Sequence, residues 1–486
     1  MGKNKGHVVA VPFPAQGHMS PMLHLCKRIA ADGYRVSFVN PSSIHEQMVR
    51  RWKPSPGLDI HLDQLPFSVH IPHGMDTYAA LNLSWFFDEL ATMSASLTEL
   101  LHRFSDEGAP ACCVISDVFL PWTQDVANKA GIPRVVLWAS GATWSVFETY
   151  AKELSERGHL PLKGKQALTF GEKLWTGTCT IDYLPGVTPL PASAIPTYMR
   201  ITEKRWVELI LERCESIWRR ETPWILVNSF YELEQITFDS MVKEFGENYV
   251  PIGPLFLRDG RDGESAGPEN VLLRDQSMES LEWLDQQKES SVLYISFGSI
   301  AAISKEQFEE LSGALEDLQQ PFLWVVRPEL FTNFTPEFQT SYASFCERTK
   351  ALGMVIPWGT QLQILQHPAL GGFLTHCGWN SIIESIANGV PMIAWPWGAE
   401  QNTNAKLITV DWKVASKLPT RGYFELVPKS EIAKAIKAVT DDGQERAVLQ
   451  ENVQRLKKLA RKAILDGGQS LLNLEKFLDQ IGQWAS

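Results

Sequence analysis

The chain has 486 residues, 44% of them hydrophobic and 21% charged, with a formal net charge of -11. A single hydrophobic core stops growing near about 250–300 residues, so two domains are expected, and the acidic balance speaks against a nucleic-acid partner, which requires a basic face. Seven cysteines without paired spacing fit reduced thiols and a cytoplasmic location, and no run approaches the roughly 20 apolar residues of a membrane span.

The first strand, HVVAVPFP, leads into Gln16-Gly17-His18, which reads as a loop. Ser20-Pro21 then has the cap-and-proline pattern of a helix start. Met22, Leu23, Leu25, Ile29 and Ala30 give that helix an apolar stripe, Gly33 stops it, and YRVSFVN returns as a strand: a β–α–β unit. From about 41 to 109 the pattern is helical in places and crowded with bulky apolar groups. The segment ACCVISDVFLPWTQDVANKAGIPRVVLWAS is a second strand–loop–helix–strand unit whose first strand ends at Asp117. Residues 160–200 are irregular and proline-rich, a wall or lid for a cleft, and WILVNSFYEL and NYVPIGPL are further strands. The charged, glycine-containing stretch that follows has no periodicity and reads as a linker. The expected division is 1–255, linker 256–278, and 279–465, with a final helix over 466–486.

Trp358–Gln401 reads as three short β–α steps. Loops at the carboxyl ends of parallel strands line the ligand crevice, so Trp358, the His376–Ser381 cluster and Glu400-Gln401 fall on one rim, a site for a nucleotide-bearing ligand. Ser381-Ile382-Ile383-Glu384 has the form of a capping box, and a helix N-terminus there is also an anion site. Trp358 offers a flat face to a base, or is one more core tryptophan among 17. His18 precedes a helix whose positive end favours the neutral imidazole, and Asp117 ends a strand that can face it; together they form a base and its support. Taken singly, His18 reads first as a loop histidine that caps or packs, and Asp117 is equally a helix cap. The spacing of His367, His376 and Cys377 fits no zinc pattern, and no metal is expected.

From Trp358 through His376-Cys377-Gly378-Trp379-Asn380-Ser381 to Glu400-Gln401, the chain closely resembles the signature box of plant UDP-dependent glycosyltransferases. Pro12-Phe13-Pro14-Ala15-Gln16-Gly17-His18 resembles the same family's PxPxQGH motif. The resemblance implies an α/β fold of GT-B type, two Rossmann-like domains facing across a cleft, with the last helix crossing back onto the first. It implies transfer of glucose from UDP-glucose to a hydroxyl of a small lipophilic acceptor (flavonoid, phenolic or terpenoid) with inversion, His18 acting as base and Asp117 supporting it. By resemblance, uracil stacks on Trp358 and meets the backbone around Gly359 and Gln361. Ser299, His376, Asn380 and Ser381 hold the diphosphate, Glu384 the ribose, and Trp379, Glu400 and Gln401 the sugar. UDP-glucose is then a co-substrate and no cofactor is expected; nor is a membrane or nucleic-acid partner, and a monomer is anticipated. Gly359-Thr360 stands where the family usually has Ala-Pro, and Ala139 where it often has a threonine, with Ser140 beside it as a substitute.

Trp85, Phe86, Phe87, Trp122, Trp138, Trp144 and Phe147 are the aromatic candidates for an acceptor pocket, with core packing as their default. A nicotinamide oxidoreductase would require a G-x-G-x-x-G after the first strand, which FPAQGHMS lacks. A non-catalytic UDP-sugar binder or sensor on the same scaffold is the alternative.

Overall fold

The computed structural model describes residues 5–50, 52, 56–67, 84–160, 179–200, 205–206, 208–212, 222–257, 277–298, 303–326, 335–419 and 425–486. Three sheets are built from strands β1 (His7–Val11), β2 (Arg35–Pro41), β3 (Ile60–Leu65), β4 (Ala111–Asp117), β5 (Arg134–Trp138), β6 (Thr180–Ile181), β7 (Leu190–Pro191), β8 (Trp224–Val227), β9 (Tyr249–Pro251), β10 (Val292–Ser296), β11 (Phe322–Val325), β12 (Gly353–Ile356), β13 (Leu370–Thr375), β14 (Met392–Ala394) and β15 (Ala415–Lys417). The helices used below are α1 (Gln16–Ala31), α2 (Ala142–Thr149), α3 (Gln361–Gln366), α4 (Trp379–Asn388), α5 (Gln401–Lys406) and α6 (Gln469–Ala485).

The first sheet has seven parallel strands in the order β3-β2-β1-β4-β5-β8-β9, and the second has six in the order β12-β11-β10-β13-β14-β15. Strands such as HVVAV and LGGFLT are buried along their whole length, as parallel strands covered on both faces by helices must be. In each sheet the strand order reverses once, between β1 and β4 in the first and between β10 and β13 in the second. A ligand crevice opens at such a switch point, outside the carboxyl ends of the strands. One cavity is lined by residues from both switch points, including His18, Ser140, Ser296, Gly298, His376 and Asn380.

The expected stripe of α1 is buried at Met22, Leu23, Leu25, Ile29 and Ala30, but the helix begins at Gln16, not at Ser20. Pro21 therefore lies inside it. Of the expected linker, residues 258–276 lie outside the described residues. The last helix does cross back: Leu474, Phe477 and Ile481 of α6 join the core under the first sheet, and Asn473 Nδ2 donates to Pro251 O at 2.8 Å.

Candidate active site

His18 is the third residue of α1, and β4 ends on Asp117 at the adjacent switch-point position. His18 Nδ1 and Asp117 Oδ2 are 2.7 Å apart, with the Asp117 side chain fully buried and the imidazole 20% exposed. The second carboxylate oxygen accepts from the backbone N–H of Phe119 at 2.9 Å. A carboxylate held at both oxygens fixes the ring's orientation and tautomer, which leaves Nε2 as the nitrogen that can accept a proton. Phe13 and Phe119 pack against the imidazole, each with its ring centroid 5.1 Å away.

At the second switch point α4 begins at Trp379, with Gly378 as its cap. The expected capping box is not formed, because Ser381 and Glu384 stand inside the helix. Both are instead gathered by Gln361 at the start of α3, whose Nε2 donates to Ser381 Oγ at 3.0 Å and to Glu384 Oε2 at 2.8 Å. Burial pushes the Glu384 carboxyl up to about 7, while the bond from Gln361 pulls the other way. Burial lowers His376 to about 4, the Ser296 backbone opposing it, so its ring is neutral at neutral pH. That ring is tightly enclosed: a Cβ at Gly298, which has φ +74, or at Gly378 would lie 2.7 or 2.4 Å from it. This is why the turn after β10 and the His-Cys-Gly step both carry glycine.

Glu400, whose carboxyl burial raises while the nearby charge of His18 lowers it, brings the loop after β14 in the second half towards the dyad. Gln401 Oε1 accepts from the backbone N–H groups of Trp397 and Gly398 at 2.8 and 3.0 Å; the NH2 end is then the one offered to the cavity that Gln401 lines. Trp358, Gly359, Gln361, His376, Trp379, Asn380, Ser381, Glu384, Glu400, Gln401 and His18 all line this one cavity. Ser299 lies outside the described residues.

Comparison with known proteins places these features. A family model described as "UDP-glucoronosyl and UDP-glucosyl transferase" matches residues 267–464, and one described as "Glycosyltransferase, N-terminal domain" matches residues 4–152. The (R)-mandelonitrile beta-glucosyltransferase of Prunus dulcis is 32% identical over 493 residues, covering 99% of this chain and 98% of that protein. The chain belongs to the UDP-glycosyltransferase family. The structure of Os79 from O. sativa in complex with UDP matches it with a TM-score of 0.80 at 27% identity, over 98% of this chain and 100% of that one. The structure of Phytolacca americana UGT2 complexed with UDP-2fluoro-glucose and pterostilbene matches with a TM-score of 0.77 at 26% identity, over 99% and 100%. The two facing parallel sheets are the GT-B fold of this family, and the protein is a glycosyltransferase.

Within this UDP-glycosyltransferase, several sequence expectations change. Of the seven aromatic candidates for the acceptor wall, Phe87 and Trp144 line the cavity, joined by Phe13, Phe119, Tyr198 and Trp206. Trp138 and Phe147 are fully buried core residues. Asn380 and Trp379 also hold the two halves together. Asn380 Nδ2 donates to Gly17 O at 2.7 Å, Asn228 Nδ2 donates to Asn380 Oδ1 at 3.3 Å, and Trp379 Nε1 donates to Asn228 O at 2.7 Å. Pro21 is the reason Gly17 O is available: it has no N–H to give to the carbonyl four residues back. Thr360 replaces the family's usual proline at φ -73, a proline-compatible angle, and caps α3 through its carbonyl. At Gly359, a Cβ would lie 2.6 Å from Ile364 Cδ1, so this chain has filled the space of the usual alanine from the other side.

Proposed function

We propose that this glycosyltransferase moves glucose from UDP-glucose onto a hydroxyl of a small lipophilic acceptor with inversion, His18 acting as general base and Asp117 as its support. The observation that carries the reading is the 2.7 Å His18–Asp117 bond, set where an aromatic wall meets the loops of the second switch point. With Nδ1–H donated to Asp117, Nε2 takes the proton of the acceptor hydroxyl as its oxygen attacks the anomeric carbon, and the buried carboxylate stabilises the imidazolium. Phe13, Phe87, Phe119, Trp144, Tyr198 and Trp206 would hold a flat, uncharged acceptor against that nitrogen.

In this reading the uracil stacks on Trp358, with the backbone at Gly359 and the Gln361 region at its edge, and Glu384 accepts from the ribose hydroxyls. The diphosphate lies against the first amides of α4, Ser381, Asn380 and neutral His376, with Ser299 as a further contact from the family pattern. Donor groups at a helix N-terminus stabilise the negative charge of the leaving diphosphate, so the mechanism is proposed as metal-independent. Glu400, Gln401 and Trp379 face the sugar. Ser140 is 6% exposed and its hydroxyl has no hydrogen-bond partner among the described residues. A buried hydroxyl of that kind calls for a partner, and Ser140 lines the cavity beside Ala139; it takes over the sugar contact of the family's threonine.

The test is incubation with UDP-glucose and a panel of neutral phenolic and terpenoid alcohols, with and without EDTA, followed by mass spectrometry. The wild type should form glucosides in both conditions. His18→Ala should form them about 10²–10⁴-fold more slowly while binding UDP within about threefold of the wild type, since a general base contributes that much to rate and nothing to donor affinity. Undiminished turnover by His18→Ala would remove it as the base, and strong EDTA inhibition would overturn the metal-free mechanism.

A further inference from the structure

The turn that carries the dyad's carboxylate is itself built around a buried cation. Arg134, the first residue of β5, is 1% exposed. Its Nε donates to Ser116 Oγ at 2.8 Å, and one terminal nitrogen lies 3.4 Å from Asp117 O and 3.3 Å from Leu120 O. Three neighbours of the guanidinium therefore belong to the five residues 116–120, which also present Phe119 to the cavity. Thr123 Oγ1, 2.7 Å from Leu120 O and 2.8 Å from Ser116 Oγ, closes the same turn.

A buried guanidinium needs a counter-charge as well as acceptors. Burial lowers Arg134 to about 10, and Asp117 is the charge that opposes the fall, so the side chain is a cation at neutral pH. Asp117 thus holds His18 with its carboxylate and meets Arg134 at its backbone carbonyl, so the guanidinium acts on the carboxylate charge through space. A buried carboxylate acting on a histidine alone favours the imidazolium and pushes the base's working range upward. A cation behind the carboxylate takes back part of that effect.

We propose that Arg134 is a positioning residue of the transfer reaction, fixing the turn that carries Asp117 and Phe119 and balancing the Asp117 charge so that His18 accepts protons near neutral pH. The proposal rests on the reading of His18 as the base. Among the described residues, Arg134 from β5 acts on Asp117 and Glu400 from the second half is acted on by His18. His24, farther along α1, and His376 and Glu384 line the same cavity. Of these, Arg134 is the buried arginine whose guanidinium reaches the Asp117 backbone carbonyl.

The experiment is the pH dependence of kcat/KM for Arg134→Gln and Arg134→Lys beside the wild type and His18→Ala, with UDP affinity measured in each. Glutamine keeps donors for Ser116 and the carbonyls but loses the charge; lysine keeps the charge and loses the planar fork. The limb along which activity rises with pH should move upward by about one unit in Arg134→Gln and stay at the wild-type position in Arg134→Lys. Both should lose about tenfold in the pH-independent rate with UDP affinity unchanged. A limb that stays put in Arg134→Gln, or moves equally in both variants, overturns the proposal, because a merely structural arginine would lower the rate without moving the profile. Undiminished transfer in His18→Ala would instead sink the reading of the base itself. Should neither variant fold, the wild-type profile decides: its limb should lie within about one unit of the ordinary histidine value of about 6.5, and one above about 8 rules the balancing charge out.

Discussion

Glu384 and His376 hold opposite proton preferences at neighbouring positions of the cavity, and both arise from burial. Glu384 titrates near 7 against an ordinary 4.5, and His376 near 4 against an ordinary 6.5. For Glu384 the folded value is raised, so its contribution to stability is complete below about pH 4.5 and is lost as pH rises through 7. For His376 the folded value is depressed, so its contribution is complete above pH 6.5 and is lost as pH falls towards 4. Between pH 4.5 and 6.5 the two slopes oppose each other and the wild type should show a flat Tm. Glu384→Gln should uncover a Tm that rises with pH across that window, and His376→Asn one that falls. Thermal unfolding at half-unit steps checks this, and two profiles parallel to the wild type would show that neither group is desolvated as the fold implies.

At the scale of elements, residues 179–200 act as a strap from the first half onto the second. Beyond the β6–β7 pair, Thr197 N donates to Ala399 O at 2.9 Å and Thr403 Oγ1 to Ala194 O at 2.6 Å. Lys406, its side chain 8% exposed, lies 2.8 Å from Asp411 and donates to Thr188 Oγ1, with Thr188 also bound to Asp411 at 2.8 Å. Tyr198, at the strap's end, is a wall of the cavity and is bonded to Trp144 Nε1 and to the buried Glu148. Lys406→Met should therefore raise KM for the acceptor about tenfold, the loss on the order of 1–2 kcal/mol expected for one charge-assisted bond, while UDP affinity holds. An unchanged acceptor KM would confine Lys406 to stability. The sequence shows such a strap only as an irregular proline-rich stretch, because its bonds join residues some 200 positions apart. Short-range signals misled for a related reason: Ser20-Pro21 and Ser381–Glu384 each match a helix-start pattern, yet both sit inside helices begun earlier by Gln16 and Trp379. Partners distant in sequence engage these groups instead: Gly17 O accepts from Asn380 Nδ2, and Gln361 Nε2 donates to Ser381 and Glu384. What periodicity and burial govern, the strands and the apolar face of α1, was readable.

For the whole molecule, the question is what sets the distance between the two switch points, since transfer needs the acceptor oxygen and the anomeric carbon in contact. The halves pack tightly at Gly141, just before α2, where a Cβ would lie 2.6 Å from the Trp379 ring and 3.0 Å from Glu234 Oε2. Neither neighbour can retreat easily. Trp379 is anchored through Nε1 to Asn228 O, and Glu234 holds the first turn of α2 by accepting from Ala142 N at 2.9 Å and Thr143 N at 2.7 Å. Gly141→Ala should therefore act as a spacer that pushes α4, whose first amides are proposed to face the diphosphate, away from the dyad. A displacement near 1 Å costs about 10²-fold in rate when geometry alone is disturbed, whereas the residues proposed to hold UDP all belong to the second half and move together. The expected result is a kcat lowered by about 10–10²-fold with UDP affinity within about threefold of the wild type. Wild-type kcat in a folded Gly141→Ala protein would show that the halves close elsewhere; a parallel loss of UDP affinity would mean that the first half contributes directly to holding the donor.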